Sequence, residues 1–205
     1  IDAFYKFNDV VVYGDMPQTS ENFFSRNELG EYRQIFYGTS VSLGTQVRRF
    51  GNLIFKGTYQ FDEIKNRAGN QVINEKIKIV SLMASSTIDT QDKYPYPENG
   101  FYFHGYYETA QTILGGDIGY TNIGFDYKNH FTLADVHTIT SSLKMGFGDK
   151  TLPLSQQHSL GGQNSFFGTR DFEFRGRQLF LASLQYRVKL PITFFFDSYF
   201  LARYD

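Results

Sequence analysis

The stretch Gln34-Ile35-Phe36-Tyr37-Gly38-Thr39-Ser40-Val41-Ser42-Leu43-Gly44-Thr45-Gln46 decides the fold. Ile35, Tyr37, Thr39, Val41, Leu43 and Thr45 alternate with Gln34, Phe36, Gly38, Ser40, Ser42, Gly44 and Gln46. Side chains point to opposite faces along a β-strand, so one face is apolar and the other small or polar. After the break Arg48-Arg49-Phe50-Gly51-Asn52 the pattern returns. Leu53, Phe55, Gly57, Tyr59 and Phe61 then oppose Lys56, Thr58, Gln60 and Asp62. Working outward, the same period of two predicts strands over 4–13, 72–88, 101–113, 117–127, 134–147, 178–190 and 192–204. Turn chemistry separates them at Gly51-Asn52, Ala68-Gly69-Asn70, Pro97-Glu98-Asn99-Gly100 and Lys128-Asn129-His130.

These strands, about 10–16 residues long, exceed the roughly 5–6 of globular proteins. A soluble sandwich or propeller would cover its second face with Lys and Glu. Here that face carries Gly, Ser, Thr, Gln and Tyr, which suits a wet lumen with the apolar face turned to lipid. The composition agrees: 22 Phe and 15 Tyr make 18% of the chain aromatic, although the mean hydropathy is −0.36. Amphipathic rings collect at headgroup depth in girdles. No run approaches the roughly 18 apolar residues of a spanning helix. The reading is an all-β, antiparallel transmembrane β-barrel occupying residues 1–205. About nine strands are visible, where single-chain bacterial barrels have an even number, so further strands are expected at both ends of a barrel of about sixteen. Residues 1–205 show no signal-peptide pattern and Ile1 is not an initiator, so the chain is expected to begin inside something longer.

The net charge of −1 argues against nucleic acid as a partner. With no Cys there is no disulfide, thiolate zinc site or Cys nucleophile. Gly38-Thr39-Ser40-Val41-Ser42 approaches a nucleophile elbow but lacks the final Gly and lies mid-strand, so no catalytic residue is assigned. The four His, at 104, 130, 137 and 158, have no ligand spacing. Asp89 and Asp92 flank a turn, and Asp62-Glu63 close a strand, as solvated carboxylates do. No metal and no cofactor is assigned. Gly115-Gly116 and Gly161-Gly162 lack the Gly-Lys-Ser/Thr of a phosphate loop.

One block breaks the strand pattern. Leu152-Pro153, then Ser159-Leu160-Gly161-Gly162-Gln163-Asn164-Ser165-Phe166-Phe167-Gly168-Thr169-Arg170, then Arg175-Gly176-Arg177 form a segment too long for an idle hairpin loop. Followed by Leu184-Gln185-Tyr186-Arg187 and Phe195-Phe196-Asp197, it resembles the BamA/TamA (surface antigen) superfamily of outer-membrane barrels. That resemblance implies a loop, 148–177, folded into the lumen, with Gly161, Gly162, Phe167, Gly168 and Arg170 as its motif. Asp197, Arg187 and Gln185 would be its polar contacts, and Arg170 would pair with Asp197; Arg175 or Arg177 is the rival assignment. Phe167 stands where the family has Arg, Gln185 where it has Glu, and Tyr199 where it has Gly.

The spacing from Leu152-Pro153 to Gly161-Gly162, with Asp89-Thr90, Pro97 and Gly100 upstream, resembles the branch whose barrel carries a patatin-like phospholipase. That branch implies a barrel anchoring or exporting a lipase domain that lies before Ile1; the alternative is a pore for protein insertion or translocation. Implied partners are outer-membrane lipids, an attached lipase or a translocated polypeptide, and a further copy in a homo-oligomer. The implied location is the bacterial outer membrane. Lys56, Asp62, Asp126, Arg187, Lys189, Asp197 and Arg203 are expected to face inward, since a charge facing lipid at mid-depth costs roughly 2–4 kcal/mol. They form either a general internal network or, at Arg187 and Asp197 with Arg170, the pin that holds the loop.

Overall fold

The computed structural model describes residues 1–13, 28–69, 74–162, 165–166, 169–193 and 197–205. The first seven strands are β1 (Asp2–Tyr13), β2 (Glu28–Val47), β3 (Gly51–Ala68), β4 (Glu75–Asp89), β5 (Gly100–Ala110), β6 (Tyr120–Leu133) and β7 (His137–Gly148). A small separate hairpin of β8 (His158–Leu160) and β9 (Phe174–Gly176) follows, then β10 (Gln178–Thr193) and β11 (Asp197–Tyr204). Nine of these make one sheet in the order β1-β2-β3-β4-β5-β6-β7-β10-β11, every pair antiparallel. β1 and β11 are the edges of the described sheet, which does not close on itself. This meander satisfies backbone groups strand to strand, as hydrocarbon demands.

The two faces are inverted relative to a soluble sheet. Leu43 is 74% exposed and Phe180 66%, while Asp62 is 2% exposed and Arg187 3%. On β10, Phe180, Leu184 and Tyr186 point outward, and Leu179 and Arg187 are buried inward. Among the inward residues Gln34, Ser40, Ser81, Asn122, Thr138 and Thr140 are also buried. Outward rings stack across strands: Tyr5 on Tyr37 at 6.5 Å and Tyr37 on Phe61 at 5.3 Å. Toward the other rim, Phe101 meets Tyr127 at 6.1 Å and His137 stacks on Tyr186 at 5.9 Å. The stretch 53–61 of β3 matches the roughly 9–11 residues a tilted strand needs to cross a bilayer. β3, at 18 residues, and β2, at 20, therefore extend past it.

One expected turn was misplaced. Lys128, Asn129 and His130 lie within β6, paired with Ser142, Ser141 and Thr140 of β7. The chain reverses instead at Ala134 and Asp135, both with positive φ. Polar residues that mimic a turn in sequence are here a strand with Lys128 and His130 on the lumen side. The strand expected over 101–113 ends at Ala110, and Thr112–Leu114 forms a 3-10 turn. β10 continues through Pro191, where the missing N–H coincides with an irregular register between Lys189 and Thr193.

The longest described connection sets the orientation. Residues 48–50 and 134–136 are short and share a rim with 90–99, whereas 149–177, much the longest, lies with 111–119 on the opposite rim. Barrels of this kind have short periplasmic turns and longer outer loops, which puts 149–177 on the outer side. Single Cys residues can be placed at will in this Cys-free chain. Ala182→Cys and Leu184→Cys should react with a lipid-soluble maleimide, Ser183→Cys and Gln185→Cys with a water-soluble one. Equal aqueous labelling of all four would contradict the membrane face.

Candidate functional site

Two segments enter the lumen, one from each rim. The outer segment, 149–177, leaves β7 and is closed at its base by Gly148 N–H donating to the Arg177 carbonyl at 2.6 Å. Asp149 Oδ2 accepts the Thr121 N–H at 2.7 Å, tying that base to β6. Leu152 is buried with Ile77, Ile79, Ala110 and Tyr120 from β4, β5 and β6. Farther across, Leu154 and Phe172 pack on Val10, Tyr32 and Ile64 of β1, β2 and β3. A loop that starts at β7 thus docks on strands four to six places away, so the sheet wraps around it.

Polar fasteners flank these apolar ones. Ser155 Oγ and Gln156 Nε2 both donate to Asp62 Oδ2, at 2.6 and 2.7 Å, and Gln60 Nε2 donates to Oδ1 at 2.8 Å. Burial disfavours the Asp62 carboxylate, and these three donors offset part of that cost. Arg175 Nη2 donates to Gln34 Oε1 at 3.0 Å and Nη1 to the Leu154 carbonyl at 3.5 Å. Its guanidinium lies 5.3 Å from the Phe172 ring centre and 5.9 Å from that of Tyr32. Arg203 Nη2 donates to the Ser165 carbonyl, adding a tie to β11. Around Arg175 neutral acceptors and rings stand in for part of the water lost on burial, while Ser155 and Gln156 tie the loop to a carboxylate.

The Gly-Gly turn is demanding in shape. Gly161 and Gly162 have φ of 131° and 82°. Any Cβ would collide with the Arg170 carbonyl and the Asp171 carboxylate, so only Gly fits. Gly162 N–H donates to the Thr169 carbonyl at 3.0 Å, bringing the Gly pair and Arg170 into one tight crossing.

The inner segment, 90–99, comes from the opposite rim. Asp92 accepts the Glu98 and Asn99 N–H groups at 2.9 and 3.1 Å, and Lys93 meets Glu98 at 2.5 Å. Burial raises the Asp92 carboxyl, but these backbone donors outweigh it and hold it below the ordinary 3.8. Arg187, buried on β10, donates to the Pro97 carbonyl at 2.5 Å. It is sandwiched by Tyr96 and Tyr199, at 5.5 and 5.2 Å. His130 bridges Gln91 and Thr140 at 2.8 and 2.9 Å. Between the segments lies a cavity of 480 Å³ whose lining includes Asp126, Lys128, Lys144 and Arg203.

The expected site residues therefore divide. Arg187 is a buried lumen residue, but it grips the inner segment. Gln185 is half-buried on the same inward row. The pairing of Arg170 with Asp197 is corrected: Arg170 Nη1 lies 3.8 Å from Glu28, and Asp197 Oδ1 lies 3.3 Å from Lys189. Asp197 sits where β11 begins, level with the end of β10, whereas the Arg170 crossing lies toward the outer rim where β2 starts. The rival Arg175 takes the wall contact; Arg177 Nη1 instead donates to the Lys150 carbonyl at 2.7 Å. Phe167, Gly168 and Phe195 lie outside the described residues. Gln34, Ser155, Gln156 and the Tyr96-Pro97 pair were missed. The inward parity of Gln34 and Asp62 was the available signal for the wall half, and nothing in sequence marks the loop half.

The fasteners make quantitative expectations. Arg175→Ala and Gln34→Ala should couple by about 0.5–3 kcal/mol in thermal unfolding of the detergent-solubilised protein. Arg170→Ala and Glu28→Ala, both exposed, should simply add. For the inner segment, a carboxyl with a depressed value contributes stability above its unfolded value and loses it as pH falls through the folded one. Lowering the pH from 7 to 5 should leave the 90–99 loop protected from protease, and protection should fall only below about pH 4. Asp92→Asn should flatten that dependence.

Comparison with known proteins gives these elements a family. No curated protein matches the chain. Among solved structures, BamA from Haemophilus ducreyi lacking POTRA domains 1-3 superposes with a TM-score of 0.66 at 17% identity, over 78% of this chain and 38% of that one. CdiB from Escherichia coli superposes at 0.57 and 13% identity, over 91% and 35%. The chain thus spans little more than a third of either, and at these identities the likeness is one of fold. The Omp85 superfamily domain model matches residues 6–201. With nearly the whole meander inside that match, the chain belongs to the Omp85 superfamily of bacterial outer-membrane β-barrels.

Proposed function

We propose that this barrel inserts or translocates polypeptides at the outer membrane, with the segment 149–177 as a removable obstruction of the lumen. The observation that carries the reading is the manner of fastening. Two small apolar anchors, Leu152 on one side and Leu154 with Phe172 on the other, and one uncharged-acceptor contact, Arg175 to Gln34, join the loop to the wall, with no covalent cross-link and no strand pairing to it among the described residues. Ser155 and Gln156 on Asp62 add hydrogen bonds that water can replace when the loop moves. Neighbouring strands of the described wall pair with one another and not with the loop, so the loop can leave without opening a strand pair. A polypeptide in transit would meet a lumen already lined with Ser, Thr, Gln and Tyr. In this proposal Gly161, Gly162 and Arg170 shape the loop, Arg175 and Asp62 hold it, and Arg187 holds the opposite segment.

The narrower reading, a barrel carrying a patatin-like lipase, is favoured by the spacing between Leu152-Pro153 and Gly161-Gly162. In that case the same obstruction would control the export of an attached domain. A Gly-x-Ser-x-Gly elbow upstream of Ile1 would select the lipase reading, and repeated small periplasmic domains the insertion reading.

The test uses the full-length protein in planar bilayers and in cells. Arg175→Ala and Leu152→Ala should each raise open-channel events at least several-fold and leave heat-resistant folding intact. Arg170→Ala should change channel opening much less. If Arg175→Ala and Leu152→Ala leave the conductance at the wild-type level, the loop is a fixed strut and the proposal fails.

A further inference from the structure

The outward wall carries an apolar groove in the middle of the membrane face. Its volume is 460 Å³, and Val41, Leu43, Phe55, Gly57, Leu82 and Tyr107 line it across β2, β3, β4 and β5. Gly57, with the small Ala84 beside it, creates the groove: Val41 and Leu82 are the cross-strand neighbours of Gly57, and Leu43, Phe55 and Tyr107 are its larger walls. Nothing in the backbone requires glycine there. A Cβ at position 57 would meet only Leu82 Cδ2, at an ordinary 3.6 Å. Nor is the position crowded, as Gly38 is by the Tyr59 carbonyl and the Gln60 backbone. The missing side chain leaves a trough between Phe55 and Tyr59, one step to either side along β3.

Above the groove, along the same strands toward the outer rim, stands a cation held against aromatic rings. Lys76 faces outward and is register-paired with Glu63. Glu63 is engaged by Lys65 at 3.2 Å. The Lys76 ammonium instead turns toward the membrane and lies over the rings of Phe61 and Tyr37, at 5.1 and 5.7 Å. Those rings belong to the outer aromatic girdle, so the charge sits at headgroup depth, backed by π faces. From Leu82 to Lys76 the strand runs about 20 Å at roughly 3.3 Å per residue. That distance suits an extended acyl chain with its headgroup at the upper end.

We infer that β2, β3, β4 and β5 form a binding site for a phosphorylated, acylated lipid of the outer leaflet. One acyl chain lies in the trough at Gly57, and a headgroup phosphate rests on Lys76. Arg33 takes no part, because Asp9 holds it in a bidentate pair at 2.6 Å. The site depends on the membrane orientation of the barrel and not on what the lumen carries.

Native mass spectrometry of the full-length protein, released from mild detergent after incubation with bis-phosphorylated lipid A, tests the assignment. Wild-type protein should retain one lipid A, and the dephosphorylated lipid should be retained at least five-fold less. Lys76→Gln should lose the phosphate preference, while Gly57→Leu should reduce retention of both forms at least five-fold. Glucosamine phosphate without acyl chains should not displace the lipid, which separates a lipid site from a free-phosphate site. Wild-type retention by both variants would overturn the inference. So would an adduct at the groove whose mass is that of a polypeptide or a second copy of the chain. Circular dichroism and heat-modifiable migration of both variants should match wild type, since neither position carries a packing contact that the fold needs.

Discussion

A backbone amide in hydrocarbon has no water to bond, and everything in this chain follows from that constraint. It forces each strand to pair along its length with both neighbours, which a chain-order meander does with the least connection. It also separates the side-chain alphabet by parity. The face toward lipid takes Val41, Leu43, Phe55, Leu82 and Phe180, and the face toward the lumen takes Gln34, Ser40, Asp62, Thr140 and Arg187. An acid such as Asp62 is tolerable only because the lumen offers it three donors, two of them from the loop. The wall and the loop are in this sense one electrostatic unit.

The two entering segments solve the same problem in different ways. The outer one uses two apolar anchors with polar ties between them, and its crossing at Gly161-Gly162 needs a backbone shape that other residues cannot adopt. The inner one is organised by a single carboxylate, Asp92, and gripped by Arg187 between two tyrosines. Tyr199, a residue that departs from the family pattern, is one wall of that grip. Between the segments the 480 Å³ cavity is lined by charged residues of both signs.

The membrane face, the strand number and the inward row were legible in sequence because a period of two is a direct record of what each face touches. Gln34 to Gln46 was enough to set parity for β2, and pairing carries parity to its neighbours. The turn at Ala134-Asp135 was not legible, because a single Asp between apolar neighbours is outweighed by the polar run Lys128-Asn129-His130, which looks like a loop and is part of a strand. The loop's partners were the hardest part. Arg170, Arg175 and Arg177 are equivalent to the eye, and only the path of the chain decides which one reaches the wall. Asp197 is drawn to Lys189 on the adjacent strand, a local pair that a motif-based reading overlooks.

The described residues of 149–177 lie across the lumen against the wall formed by β2, β3 and β4. Ser155 and Asp62 are 93 positions apart in the chain and in hydrogen-bond contact in the structure. With both replaced by Cys in the otherwise Cys-free protein, a short bifunctional thiol reagent applied to intact outer membranes measures their proximity directly. Rapid, near-complete intramolecular cross-linking is expected, with a control pair of Cys at 155 and 198 unreacted. Cross-linking of the 155–62 pair no faster than the control would place the loop outside the lumen.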